Sequence, residues 1–481
     1  MKSLIFSRTK FFRILFGLLI LGFSFGCQKD LLNTGNTSVP ESVTTTMASV
    51  KPVNFMVITK SETLPADFEK KITSYGKIIN SIPEIGVLVV SPKVSSFELK
   101  VSKLTEVKAV VPDLVTRWIE PGEFVASSNP PSIGDNEGYF RLQWGMDAIN
   151  APEAWNAGYT GEGAKVFILD SGIDAEHPDL APNLLPSLCK SFVPSEDWNV
   201  EQIPFFNHGS HVAGIIAGAD NSYGIIGVAP HAGIVAVKVL TEKEGSGSFS
   251  WINAGIVYAA NNGANVINMS LGAWFDRNGF YYDEDNVLQK IPAVFIQNLI
   301  LSQQRAVTYA YKKGVTVIVS AGNDAINADG NKSVIIVPAD LQHVVAVSAT
   351  APEYWFSSWK SGAPDPAFSA FDVPSSYTNY GRSLVKLAAP GGDFDFNPST
   401  GWFYDMVISC GSQGYWFAAG TSMAAPHVAG VAALIIAKNN WEMSPLDVAQ
   451  KLFDTADKID GSGVSLYYGN GRVNAFRAVT E

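Results

Sequence analysis

Between Lys165 and Ser348, short β-branched runs alternate with longer helix-like stretches, and no other feature constrains the fold as strongly. The strand-like runs are Lys165–Asp170, Gly233–Leu240, Asn265–Leu271, Val315–Ser320 and Val344–Ser348. Between them lie Gly209–Ala219, Ser250–Asn262 and Val294–Lys313, which carry helical patterns. Strands that alternate with helices must run parallel, because each crossover returns the chain to the same edge. The expectation is an α/β fold with a mainly parallel central sheet covered on both faces, a three-layer arrangement. Ligands of such sheets bind beyond the carboxyl ends of the strands. Polar residues gather there: Asp170 ends one run, Ser270 another, and Asn323 follows a third.

This domain spans 141–481. A smaller pattern precedes it. Asn54–Lys60, Ile85–Val90 and Val107–Val111 read as strands, with Asp67–Tyr75 and Ser95–Leu104 as helices. Residues 53–113 are thus expected to form a small α+β unit resembling a ferredoxin-like sandwich. Residues 114–140 read as a linker, most exposed over Pro121–Gly138, where Pro, Gly, Ser and Asn accumulate. Residues 28–52 read as a Ser/Thr-rich tether. Residues 1–27 read as a secretion signal, basic at Lys2, Arg8, Lys10 and Arg13 and apolar over Ile14–Gly26. The Gly26-Cys27 junction resembles a bacterial lipoprotein signal, with Cys27 the lipidated residue. The expected location is secreted or cell-envelope associated, with membrane contact only through that lipid.

Composition narrows the function. Lys and Arg total 34 against 45 Asp and Glu, a net charge of −11. A fold that grips phosphate backbones needs a basic surface, so nucleic acid is not expected as a partner. Apolar residues make up 47% of the chain, which excludes a disordered protein. Three cysteines are too few for a disulfide scaffold. Cys189 and Cys410 are the candidates for one bridge outside the cytoplasm.

Three segments carry chemistry. Asp170-Ser171-Gly172 sets a carboxylate at a strand end, where it either caps a turn or orients a partner. His208-Gly209-Ser210-His211 sets an imidazole at the mouth of a small-residue helix; the i, i+3 histidines also suit a metal, but the Glu of a metalloprotease helix is missing. Gly420-Thr421-Ser422-Met423-Ala424-Ala425-Pro426-His427 sets a serine at the start of another small-residue helix, where free amides favour developing negative charge. Together they supply a carboxylate, a base and a nucleophile. Asn323, in Ser320-Ala321-Gly322-Asn323, adds an amide suited to an oxyanion.

In the order Asp, His, Ser, these blocks resemble the subtilase family, the subtilisin-like serine proteases, over about residues 141–475. Further matches are Gly158-Tyr159-Thr160-Gly161, His177-Pro178-Asp179-Leu180, Gly227-Val228-Ala229-Pro230 and Ala389-Pro390-Gly391. The resemblance implies a secreted serine endopeptidase made as a zymogen, acting through an acyl-enzyme with Asp170, His208 and Ser422 as triad. It implies Asn323 as oxyanion donor and Ser270, Leu271 and Gly272 as the strand that pairs with substrate. Protein or peptide substrates follow, with residues 53–113 as an inhibitory propeptide. Catalysis needs no cofactor, and a structural calcium is implied at Asp179 and Asn221. Counting from Asn323 puts Ile336 or Val337 at the primary side-chain pocket. A catalytically inert binding protein on the same fold is the alternative. Three loops exceed the family's minimum: 274–303, 351–374 and 392–416.

Overall fold

The computed structural model describes residues 54–119, 124–127, 137–359, 368–394, 402–461 and 463–481. The signal, the tether and Cys27 lie outside the described residues.

The first unit contains strands β1 (Phe55–Thr59), β2 (Gly76–Ile82), β3 (Val87–Pro92) and β4 (Val107–Pro112), with helices α1 (Phe68–Ile72) and α2 (Phe97–Val101). The strands form one antiparallel sheet in the order β2-β3-β1-β4. Strand periodicity divides its two faces. Val57, Leu88 and Val90 pack with Phe68, Ile72, Phe97 and Val101 of the unit's own helices. Met56, Ile58, Val87 and Val89 point the other way, into a core shared with the main domain. β2 is an addition to the three strands expected from the sequence; its Ile78-Ile79-Asn80-Ser81 stretch breaks the alternation and its burial pattern is mostly part-exposed.

The chain then continues extended. Val115–Arg117 (β5) and Phe124–Ser127 (β6) are strands, and Trp118 is only 2% exposed. The expected exposed linker therefore begins as a paired segment; its pairing partners lie far away in sequence, so local composition gave no sign of them.

The main sheet uses β7 (Lys165–Asp170), β8 (Gly233–Lys238), β10 (Val266–Met269), β12 (Thr316–Ser320), β14 (Val345–Ala351) and β15 (Leu387–Pro390). These pair in parallel in the order β15-β14-β12-β10-β7-β8. Two short strands flank them, Lys190–Ser191 parallel to β8 and Val373–Pro374 antiparallel to β14. Helices α3 (His208–Ala217) and α6 (Thr421–Lys438) belong to the core on one face. Helices α4 (Phe249–Asn261) and α5 (Ala293–Lys312) belong to the core on the other. The expected three-layer α/β fold, preceded by a small α+β unit, is what forms.

Helix α6 is long and apolar enough to cross a membrane, yet 89% of its window is buried. Its apolar character comes from its place at the centre of the core. Three further strands complete the site: β9 (Ser246–Ser248) and the hairpin β16 (Val407–Gly411) and β17 (Gly414–Ala418), which leads into α6. Loop 274–303 folds back on itself. It begins in β11 (Ala273–Asp276), which pairs with β13 (Val334–Val337). Loops 351–374 and 392–416 contribute an aromatic cluster, with Trp355, Phe356, Trp359 and Tyr404 in ring contact.

Candidate active site

Strand β7 ends at Asp170, 1% exposed. Its carboxylate faces Nδ1 of His208 through both oxygens, at 2.9 and 3.0 Å. The Ser171 amide donates to the same carboxylate at 2.7 Å. His208 opens α3, whose N-cap Asn207 accepts from the Ser210 amide. The Ser171 hydroxyl accepts from both Asn207 and the Gly209 amide, so helix start and strand end are tied together. A Cβ on Gly209 would collide with the Gly172 carbonyl, which explains a glycine directly after the imidazole. Lys238, fully buried on β8, donates to the Ser171 carbonyl at 2.7 Å and pairs with Glu196.

Strand β10, the neighbour of β7, ends just before Ser270. The Ser422 Oγ donates to the Ser270 carbonyl at 3.2 Å, and the Ser270 hydroxyl donates to the Ser422 carbonyl at 2.8 Å. Ser422 thus sits in the first turn of α6, at the carboxyl end of the strand adjacent to the one that ends in Asp170. His208 Nε2 is buried with no hydrogen-bond partner.

Asn323 follows β12. Its Oδ1 accepts from the Thr421 amide at 2.9 Å and from the Thr421 hydroxyl at 2.7 Å. The amide orientation is thereby fixed, because the oxygen end is consumed and the NH₂ end remains. Asn323, Ser422, Gly272, Trp274, Asp324, Ile336 and Trp118 line one cavity. Of the two residues that counting offered for the side-chain pocket, Ile336 is in this lining and Val337 is not. Trp274 and Asp324 were not foreseen; Trp274 lies in β11, paired with Ile336, and Asp324 in the loop after β12.

The three residues expected to pair with substrate divide their work. Gly272 donates its amide to the Trp118 carbonyl at 2.8 Å. The Ser270 carbonyl is taken by Ser422, and the Leu271 carbonyl accepts from Ser320. Opposite Gly272, β5 pairs antiparallel with β9, placing Thr116 across from Gly247. The Trp118 ring meets Phe249 and Phe275 edge-on or tilted, and its indole donates to the Gly247 carbonyl.

His211 and His177 are buried and engaged by backbone groups. Burial pushes His211 down to about 3, and it binds the Trp416 carbonyl rather than sharing a metal with His208. His177 uses Nδ1 to accept from the Asp179 amide and faces the Gly414 carbonyl with Nε2. It lies near Cys410 and Asp179, but neither ring nitrogen has a free lone pair for a metal. Cys189 and Cys410 are free thiols, so the candidate bridge does not form. Cys189 interacts instead with the Leu185 carbonyl and the Ala236 amide.

Asp179 and Asn221 do meet, at 3.2 Å. The Asp179 carboxylate also accepts from the Ile225 amide and the Tyr415 hydroxyl, and burial pushes it up to about 6. Glu137, which the sequence reading left in the linker, joins the same loop. Its Oε1 accepts from the Ser222 amide at 3.3 Å, while Oε2 is buried and unpartnered. A buried carboxylate oxygen without a partner, beside the loop of Asn221 that the Asp179 carboxylate also meets, fits a hard cation with oxygen ligands.

A model of the subtilase family matches residues 161–471. Thermitase of Thermoactinomyces vulgaris is 35% identical over 346 residues, covering 72% of this chain and 98% of that protein. A thermophilic serine proteinase of Bacillus sp. (strain AK1) is 31% identical over 420 residues, 86% of each chain. Among solved structures, the epidermin leader peptide processing serine protease of Staphylococcus aureus superposes with a TM-score of 0.69 at 24% identity, over 89% of this chain and 98% of that one. Fervidolysin from Fervidobacterium pennivorans superposes at 0.63 and 22% identity, over 89% of this chain and 61% of that one. At these identities the two structural likenesses speak for the fold.

Proposed function

The chain belongs to the subtilase family and is a subtilisin-like serine endopeptidase, and on that premise we propose that Asp170, His208 and Ser422 are its catalytic triad. The observation that carries this reading is the two-oxygen contact of Asp170 with His208 Nδ1, at the strand end next to the one that holds Ser422. Ser422 Oγ turns from the Ser270 carbonyl toward His208 Nε2 and attacks the peptide carbonyl. His208 takes the proton and later gives it to the leaving amine. Asp170 holds Nδ1–H and stabilises the imidazolium. Such contacts are often loose before substrate binds. Asn323 Nδ2 and the Ser422 amide receive the oxyanion, and no cofactor takes part. Labelling with a fluorophosphonate tests this: the processed protein should carry one adduct, on Ser422. Folded, processed protein that stays unlabelled would favour an inert binding protein instead.

Substrates are proteins or peptides that add a strand along Ser270, Leu271 and Gly272. Ile336 narrows the side-chain pocket, so small and medium apolar residues are preferred to aromatic ones. The protein is made as a zymogen, with residues 53–113 as its inhibitory propeptide. In support, Arg305 of α5 donates to the carbonyls of Thr59, Ser61 and Ile85, β5 pairs with β9, and the Trp118 carbonyl after β5 accepts from the Gly272 amide. Cleavage falls between Glu120 and Arg141. The enzyme acts outside the cytoplasm. A lipid on Cys27 would stay with the propeptide, so the cut would free the enzyme from the membrane.

Calcium is the expected structural ion, held by Asp179, Asn221 and Glu137. When bound, it neutralises carboxylates that burial otherwise leaves without a counter-charge.

A further inference from the structure

Two strands of the same chain flank Ser422. On one side, β5 pairs with β9, and Trp118 gives its carbonyl to Gly272 while lining the cavity that holds Ser422 and Asn323. On the other side, β6 pairs antiparallel with β17, with Phe124 opposite Ala418 and Ser127 opposite Tyr415. Strand β17 runs through Ala419 and Gly420 into the turn that carries Ser422, so the Phe124 end of β6 is the end nearer the nucleophile. Without β6, the outer edge of the β16–β17 hairpin would present unpaired backbone groups, which is a template for an added strand.

Acyl transfer divides a substrate in two. The acyl half is held by the serine, and the other half departs as the new amine. β5 with Trp118 lies on the acyl side and β6 on the leaving side. The two segments meet different fates when the chain is cut between them. The acyl side goes with the N-terminal unit, which is then held by non-covalent contacts alone. The leaving side remains part of the enzyme. It continues to Glu137 and Tyr139, which are fixed to the Ser222 amide and the Gly224 carbonyl. A short tether of this kind gives an effective concentration of about a millimolar. Even a weak strand stays in place at that concentration.

We infer that Phe124–Ser127 is a tethered strand that occupies the leaving-group side of the cleft in the processed enzyme. It competes there with the residues that follow the scissile bond in a protein substrate. This rests on the reading of Ser422 as nucleophile and of a cut before Phe124. The enzyme therefore discriminates by the leaving side: substrates with a small leaving group turn over freely, and those that extend beyond the scissile bond must first displace β6.

The test compares processed wild type with the variant F124G/V125S/A126G, which keeps the tether length but weakens the strand. One substrate is a peptide p-nitroanilide. The other is the same acyl sequence extended by four residues. The variant should lower KM for the extended peptide about tenfold at constant kcat and leave p-nitroanilide hydrolysis within twofold. Equal KM values for the extended peptide, with both proteins active on the anilide, would overturn the inference and leave the peptidase reading intact. Wild type inactive on both substrates would overturn both. Amide exchange on processed wild type needs no variant: the amides of Tyr415–Ala418 should stay protected after the cut. Loss of that protection, or a mature chain that begins beyond Ser127, would overturn the inference.

Discussion

The Thr421 hydroxyl donates to Oδ1 of Asn323 at 2.7 Å, one residue before Ser422. The Gly322 amide donates in turn to that hydroxyl at 3.1 Å. Thr421 is fully buried, so the contact is shielded from water. Asn323 and the residue before Ser422 are thereby held in one short network, and in the proposed mechanism the Asn323 NH₂ is aimed before substrate arrives. Such preorganisation is where electrostatic catalysis gains most. Asn323→Ala should lower kcat by about 10²–10³ with KM little changed. Thr421→Val removes only the hydroxyl and keeps the amide bond to Asn323. It should lower kcat about tenfold, as expected for one neutral hydrogen bond of ~1 kcal/mol. Steady-state kinetics on a peptide substrate checks both, and a Thr421→Val effect confined to KM would contradict the positioning role.

Ser422→Ala removes the proposed nucleophile and one hydrogen bond to Ser270, which is a small structural change at a buried helix start. Activity should fall by about 10⁶, with melting temperature nearly unchanged. The precursor should stay full length and membrane-associated, whereas wild type should begin between Glu120 and Arg141. Amino-terminal sequencing of purified protein checks this. A processed Ser422→Ala protein, free of other proteases, would rule out self-cleavage.

Much of this architecture was legible from one chain. The strand Lys165–Asp170 was read to the residue, because a buried parallel strand is a continuous apolar run that ends in a polar functional group. The triad segments stood out because small residues around His208 and Ser422 are needed where helices pack closely against the sheet; Gly209 and Gly430 have no room for a Cβ. What escaped was non-local. β5 and β6 are stabilised by strands more than a hundred residues away, so a stretch rich in Pro, Gly and Ser looked like an open linker. Glu137 escaped for the same reason: its partner Ser222 is 85 residues on. Whether Cys189 and Cys410 pair was not legible at all, since count and compartment speak to chemistry and not to distance.

The ion reading makes Glu137 a ligand together with Asp179 and Asn221. A ligand of the native state raises stability in proportion to its free concentration. Chelation with EGTA should therefore lower the melting temperature of the wild type by several degrees, and added calcium should restore it. Glu137→Gln keeps the shape and the contact to Ser222 but halves the local ligand charge, so the response to calcium should shrink. Thermal scans with and without EGTA check this; a wild-type melting temperature indifferent to chelation would count against the site.

The last prediction concerns pH. The Asp113 carboxylate lies at the start of α4, where it accepts from the Ser250 hydroxyl at 2.6 Å and the Ser250 amide at 3.2 Å. The amides of a helix start favour the anion, but burial is the stronger influence and pushes Asp113 up from 3.8 to about 6. Its partners, Ser248 and Ser250, are neutral, so no charge offsets the lost hydration. The docked state therefore binds more protons than the released one between about pH 4 and pH 6. By linkage, docking is strongest at or below about pH 4, weakens as pH rises through 6, and is level above that. A shift of about two units corresponds to a weakening of up to about a hundredfold. After processing, the N-terminal unit should stay bound to the enzyme at pH 4 and dissociate more readily at pH 7. Asp113→Asn keeps a hydrogen bond to Ser250 without a charge to desolvate. That variant should hold its N-terminal unit above pH 6 and lose the slope between pH 4 and 6. Size-exclusion of processed protein across this range, with peptidase activity read on the same fractions, checks both. A wild-type profile that is flat, or that tightens as pH rises, would contradict the assignment to Asp113.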